Sequence, residues 1–241
     1  MLAGAALAPG QQVLDIGSGD GELAVAAAAI VGPSGRVLAT DVTLERLAGL
    51  AHRLPPGPPR SPIEVQACAA EDLALVPGSF DVALARNCIM YFRDLDRALR
   101  NVRAALRPGA RCIASVYGPL EREPFHAIPI AAVQRRCHLA EPLPEYARAF
   151  RLGATDLRAA LRRAGFRDVH LRTVAVTRTY PSISALLEQL RTSRSLGDLL
   201  SCLPEGAVDQ AWREIDAGFR AFAGPAAVRI PGEQVVVTGT T

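Results

Sequence analysis

Lysine is missing from this 241-residue chain: all 27 basic residues are arginine, set against 24 acidic ones for a formal net charge of +3. So mild a balance makes no electrostatic case for a nucleic-acid partner or an anionic membrane. Aromatic residues are scarce at 5%, and the arginine-rich stretch from Arg97 to Arg111 contains none. Its arginines alternate with Ala and Leu at helical spacing, which predicts a solvated helix face rather than an RNA-binding strip. The five cysteines (Cys68, Cys88, Cys112, Cys137, Cys202) are scattered and form no CxxC pair. That excludes a zinc-ribbon arrangement, predicts no metal, and argues against a secreted disulfide framework. No basic residue precedes Arg36 and no apolar run suits a signal peptide. The longest apolar run, residues 23–31, falls far short of the ~20 residues a membrane span needs. The expectation is a cytoplasmic chain with no membrane span and no nucleic-acid partner. Its oligomeric state is left open.

What is abundant is apolar material, 49% of residues, enough for a sizeable core. It is organised as short β-type runs alternating with helical ones. Strands are expected over 12–17, 36–40, 63–68, 80–85 and 111–116. Helices are expected over 19–31, from Thr43 as N-cap through Leu44, Leu47, Leu50 and Leu54, and over 94–106 before the Pro108-Gly109 stop. The proline-rich stretch 54–62 reads as a surface loop. After Tyr117 the rhythm changes: 118–150 is mixed, with no clear period. A helix over 155–164, a strand near 169–176, a largely helical stretch 181–222 and a closing strand 234–238 follow. Strand and helix in alternation imply parallel βαβ units and right-handed crossovers. The predicted fold is α/β: a doubly wound, mostly parallel, Rossmann-like sheet of seven strands with helical cap insertions. The expected organisation is one domain, with a core over 1–117, a cap or substrate insertion over 118–153, and the rest of the sheet over 154–241 carrying a helical insertion at 181–224.

The stretch with most chemistry is Val13-Leu14-Asp15-Ile16-Gly17-Ser18-Gly19-Asp20-Gly21-Glu22. A glycine-rich turn after the first strand brings backbone against a ligand at the carboxyl end of a parallel sheet. The spacing is G-x-G-x-G, Glu22 stands where the dinucleotide pattern needs its last glycine, and no GK[ST] ending is present. Asp15, Asp20 and Glu22 crowd the turn with negative charge, which suits a cationic nucleoside-like ligand and opposes a pyrophosphate. Asp41, closing the second strand, is placed to accept both ribose hydroxyls.

VLDIGSGDG, LATD, AAEDL, FDVALARNCIMYF and LRPGARCIASV, in that order, resemble the motif series of class I S-adenosylmethionine-dependent methyltransferases. The nearest flavour is the ubiquinone/menaquinone-biosynthesis-like small-molecule branch. The resemblance is strongest over 7–116 and continues weakly through 157–166. It implies S-adenosyl-L-methionine as cofactor and a small-molecule methyl acceptor. Residue by residue, it implies that Asp15 and the Gly17-Ser18-Gly19 backbone, beside Asp20, meet the methionine part. Asp41 would hold the ribose and Val42 pack on the adenine face. Ala70 and Glu71 would edge the adenine through backbone N–H groups. Arg86 would offer its backbone carbonyl to the α-amino group and its side chain to the carboxylate. Two departures stand out. Ala69 occupies a position where many relatives carry an acid, so either Glu71 or Asp72 would substitute or the adenine would be held less tightly. Relatives also usually carry a few dozen residues before the first strand, which here begins at Gln12.

Methyl transfer needs a general base only if the acceptor must lose a proton. The candidates are His126, His138 and Tyr117, with Tyr91 near another strand end; His126 is expected in a polar, solvent-facing turn. No Asn-Pro-Pro-Tyr-type motif follows the fourth strand, where the sequence is Arg86-Asn87-Cys88-Ile89, which lowers nucleic-acid bases and protein amides as acceptors. Competing functions are a cofactor-binding partner protein without turnover, an RNA methyltransferase and, against the loop's acidity, an NAD-dependent oxidoreductase.

Overall fold

Val13, Leu14 and Ile16 are all buried, although neighbouring positions on a strand point to opposite faces. Strand β1 (Gln12–Ile16) is therefore covered on both sides, which is why Val13, Leu14 and Ile16 are apolar on both faces and only Asp15 interrupts the run. The computed structural model describes residues 1–53, 63–138, 149–204 and 206–241. The loop expected at 54–62 and residues 139–148 of the mixed segment lie outside them. β1 is joined by β2 (Arg36–Asp41), β3 (Ile63–Ala67), β4 (Phe80–Arg86), β5 (Leu106–Tyr117), β6 (Arg167–Tyr180) and β7 (Val228–Thr240). They form a seven-stranded sheet in the order β3-β2-β1-β4-β5-β7-β6. The β1–β2, β2–β3, β1–β4 and β4–β5 pairs are parallel. This is the expected doubly wound, mostly parallel sheet. The chain winds outward from β1 through β2 to β3, then returns to the other side of β1 as β4. That reversal opens a crevice past the carboxyl ends of β1 and β4, where ligands of such sheets bind.

The chain divides into two compact units. The first comprises residues 1–116, 152–172 and 235–241. In it a short α1 (Leu2–Ala5) is followed by α2 (Glu22–Val31), which buries Leu23, Ala24, Ala27, Ala28 and Val31 on one helical face. α3 (Leu44–Arg53) starts as predicted, with the Arg46 N–H donating to Thr43 Oγ1 at 3.4 Å. α4 (Leu95–Ala105) is capped by Asp94, whose carboxylate accepts from the Arg97 N–H at 2.8 Å. α6 (Ala154–Arg163) is tied to α4 through Arg163 and Asp96 and through Arg103 Nε donating to the Gly165 carbonyl. Arg97 and Arg100 stay exposed on the solvated helix face their spacing predicts, whereas Arg107 and Arg111, expected on the same face, lie on β5. The stop expected at Pro108-Gly109 is placed differently. The helix ends at Ala105 and β5 begins at once, with Phe80 opposite Leu106 and Val82 opposite Arg111. The extra residues form a bulge in which proline needs no ladder donor and Gly109 takes a φ of +77°.

The second unit comprises residues 117–151 and 173–234. It holds α5 (Pro124–Arg136), α7 (Ile183–Arg191), α8 (Arg194–Leu200) and α9 (Val208–Arg220). Their core gathers Val133, Leu186, Leu190, Leu199, Ile215 and Phe219. Helix α5 replaces the first part of the segment expected to have no period. It hides from pattern reading because Pro124 opens it, Pro129 lies inside it, and apolar residues occupy all its sides. β6 and β7 also run beyond their expected spans. Pro231-Gly232 reads as a break, yet the strand continues because the Glu233 N–H donates to the buried Glu123 carboxylate at 2.6 Å and the Gly118 N–H to the Glu233 carbonyl at 2.7 Å.

Candidate functional site

The sequence after β1 must turn sharply at the crevice, and Gly17, Gly19 and Gly21 do so with φ of +61°, +57° and +80°. At Gly17 a second constraint acts: a Cβ there would lie 2.5 Å from Cys88 Cβ and 2.8 Å from its sulfur. Gly17→Ala is therefore expected to cost about 2 kcal/mol from left-handed strain and overpacking. Urea unfolding of the variant checks this, and an unchanged midpoint would show that the loop and Cys88 give way freely.

The loop is held from β2. The Ser18 N–H donates to the Thr40 carbonyl at 2.9 Å, and the Gly19 N–H donates to Asp41 Oδ2 at 2.9 Å. Asp41 Oδ1 accepts from the Val42 N–H at 2.8 Å, with Arg46 Nε 3.7 Å away. Asp41 is buried, while Val42 beside it is 57% exposed and presents an apolar face. Asp15, on β1, is 1% exposed and accepts from Ser18 Oγ at 2.6 Å. Burial pushes its carboxyl up to about 7; the Ser18 hydrogen bond and the Arg86 charge oppose the rise and the Asp41 charge adds to it. Arg86, at the end of β4, pairs with Glu22 at 2.7 Å and has Asp15 and Asp20 as further acidic neighbours. The side chain expected to reach the ligand's carboxylate is here paired with an acid of the same loop.

After β3 the chain makes a short helical turn over Ala70–Asp72. Glu71 is buried, and its Oε1 accepts from the N–H groups of Arg93 at 2.7 Å and Asp94 at 3.3 Å. Burial alone would raise this carboxyl, but its own N–H and those two outweigh it and hold it below the usual carboxylate range. Asp72 pairs with Arg97 at 3.0 Å in solvent. Neither carboxylate offered as a substitute at Ala69 is therefore uncommitted.

Two residues that the sequence reading passed over shape this site. Asn101, in α4, donates through Nδ2 to the carbonyls of Ala70 at 3.2 Å and Glu71 at 2.7 Å, clamping the turn that follows β3. Its only signal is an Asn inside a helix, where that residue is a poor former. Cys88 donates from sulfur to the Ile16 carbonyl at 3.1 Å beneath the glycine loop, and burial raises its thiol well above the ordinary value. Nothing in the spacing marks it.

The proposed bases lie in the second unit. His126 is not in a polar turn: it sits in the first turn of α5, with its ring centroid 4.4 Å from that of Tyr117 and 5.6 Å from that of Phe150. Burial, aided by Arg178, lowers its imidazole to about 3, so it is neutral at physiological pH and poorly suited to taking a proton. His138 is exposed, just past α5, with a φ of +51°. Among the described residues no helix is long and apolar enough to cross a membrane, and no group of three or more His, Cys, Asp or Glu side chains is arranged to hold a metal.

The loop chemistry fits an adenosyl cation. A carboxylate has about four acceptor positions, of which the Gly19 and Val42 N–H groups take two at Asp41, leaving room for two ribose hydroxyls. The acidic surroundings favour an ammonium and a sulfonium.

Comparison with known proteins agrees. Residues 13–109 match a family model described as a methyltransferase domain. A ubiquinone/menaquinone biosynthesis C-methyltransferase, UbiE, of Ralstonia pickettii is 34% identical over 125 residues, covering 50% of this chain and 51% of that one. The chain spans about half the length of the relatives it matches. Among solved structures, the YcgJ protein of Bacillus subtilis superposes with a TM-score of 0.61 at 17% identity, over 100% of this chain and 96% of that one. A Haemonchus contortus phosphoethanolamine N-methyltransferase 2 in complex with S-adenosyl-L-methionine gives 0.57 at 18% identity, over 97% and 49%. These two likenesses are of fold.

Proposed function

We propose that this chain, whose residues 13–109 match a methyltransferase domain model, is a class I methyltransferase that binds S-adenosylmethionine and directs its methyl group to a small-molecule acceptor. The observation that carries the reading is the acidic glycine loop locked to Asp41: a cradle for a ribose and for positive charge at the switch point of the sheet. S-adenosylmethionine, when bound, supplies a methyl carbon activated by a sulfonium, open to in-line attack. The chain's own contribution is positional. Asp41 would fix the ribose, Val42 cover one adenine face, and the Ala70–Glu71 turn edge the ring with backbone N–H groups. Asp15 and the Gly17-Ser18-Gly19 backbone, with Asp20 adding negative charge, would hold the methionine end, and the Arg86 carbonyl would accept from the ammonium. Alignment of this kind removes on the order of 7–11 kcal/mol from a bimolecular barrier at best.

Residues 118–153 and 181–224 are assigned to acceptor recognition. A cytoplasmic setting belongs to the same reading, supported by five cysteines none of which is in a disulfide. The test is calorimetric titration of the purified chain with S-adenosylmethionine, S-adenosylhomocysteine and NAD in parallel. Micromolar binding of the two adenosyl compounds and none of NAD is expected. NAD binding alone would replace the reading with an oxidoreductase, and no binding at all would leave a fold without its cofactor.

A further inference from the structure

The arginine expected to receive the cofactor's carboxylate already holds a carboxylate of the chain itself. Arg86 ends β4, one position past the Ile16–Ala85 pair, and so stands level with Gly17, where the glycine loop begins. Glu22 opens α2, immediately after Gly21, where the loop ends. Arg86 Nη2 donates to Glu22 Oε2 at 2.7 Å, joining residues 64 positions apart in the chain. The pair thus bridges the two ends of the turn on which the methionine part would lie. An acid in the first turn of a helix is accounted for by the helix dipole. That account does not extend to a carboxylate carried across the loop onto the arginine at the end of another strand.

Three properties of this pair point the same way. Its acid carries the functional group that the amino-acid end of the cofactor carries. Its side chains are 36% and 57% exposed, and ion pairs so open to water are weak enough to exchange. Two carboxylates on one guanidinium also repel each other, so arrival of the ligand's favours departure of the chain's. Asp41, the other anchor, is not closed in this manner: Arg46 Nε stands 3.7 Å from it, beyond hydrogen-bonding distance. We infer that Glu22 is a stand-in for the cofactor's α-carboxylate, holding on Arg86 the place which that group takes on binding. Resting on the function proposed above, this makes Glu22 a specificity-determining residue of the cofactor site. It lowers affinity for adenosyl ligands that carry a carboxylate and gives no such penalty to those without one.

The test is calorimetric titration of the full chain, wild type and Glu22→Gln, with two ligands. One is S-adenosylhomocysteine; the other is its decarboxylated counterpart, which keeps the adenosine, the sulfur and the ammonium. Glutamine preserves the size of the side chain and removes its charge. Glu22→Gln is expected to bind S-adenosylhomocysteine about threefold to fivefold more tightly, the range set by an exposed ion pair, and to bind the decarboxylated compound no more tightly. In an Arg86→Met background the same substitution should give no gain, because the arginine competed for is gone. Weaker binding of S-adenosylhomocysteine by Glu22→Gln would overturn the inference and show that Glu22 serves only to attract the cation. An equal gain for both ligands, or no change for either, would overturn it as well. Should Arg86→Met fail to fold, the two ligands on Glu22→Gln decide alone. No binding of either ligand to either chain would remove the methyltransferase reading and this inference with it. Wild-type binding of S-adenosylhomocysteine without a gain in Glu22→Gln would remove the inference and leave that reading standing.

Discussion

Replacing Asp41 with alanine is expected to weaken S-adenosylhomocysteine binding by about 1.5–3 kcal/mol, roughly ten- to a hundredfold, the scale of hydrogen bonds to a charged group. The structure adds a second reason to the ribose argument. Asp41 also accepts from the Gly19 and Val42 N–H groups, so its loss frees both the glycine loop and the start of the connection to α3. Asp41→Asn separates the two contributions. An asparagine retains one oxygen for a backbone N–H but has lost the charge and half the acceptors, so its affinity should fall between wild type and alanine. Calorimetry of both variants measures the effect, and wild-type affinity in Asp41→Ala would take Asp41 out of the site.

Asp15→Asn should move stability and affinity in opposite directions. The Asp15 carboxyl is raised, chiefly by burial, from 3.8 to about 7. The folded chain therefore keeps this proton to higher pH than the unfolded chain does. Its contribution to stability is complete below about pH 4, declines as pH rises to about 7, and is level beyond. The span between the two values sets a ceiling on the order of 4 kcal/mol. Asparagine carries no charge to bury, so Asp15→Asn should flatten that decline and raise the urea midpoint at pH 8. Cofactor affinity runs the other way. An ammonium favours the ionised carboxylate, so wild-type binding should fall about tenfold per pH unit on going from pH 7 to pH 5. Asp15→Asn should bind tenfold or more weakly at pH 8 and show none of that slope. A variant that binds as wild type would move the ammonium away from Asp15, and a pH-independent wild-type stability would deny the raised carboxyl.

The opposition between the two slopes gives a physical reason for a carboxylate in so poor a place. A buried aspartate beside Asp41 is held at a cost to the fold, and a cationic ligand would relieve it. The Glu71 carboxylate is the contrasting case. It is also buried, but backbone N–H groups bind it and hold it ionised, so it stabilises the turn after β3.

Much of this was legible in the sequence. The buried run Val13–Ile16, the glycine turn, the Thr43 and Asp94 caps and the alternation of strand and helix are local patterns, and local patterns survive without knowledge of partners. The sequence by itself determined the sheet class, the acidic glycine loop and the place of Asp41, because period, cap and turn chemistry are written within a few neighbouring residues. Only the tertiary structure decided the rest. Helix α5 is settled by what packs around it, since it has prolines and no single apolar face. β7 runs through Pro231-Gly232 because Glu123, more than a hundred positions away in the chain, takes the Glu233 N–H. Arg86 is bound to Glu22, Asn101 clamps a turn it does not adjoin, and His126 Nε2 is buried without a hydrogen-bond partner among the described residues. These features depend on which distant groups pack or reach hydrogen-bonding distance, and chain order does not encode that until the sheet has closed.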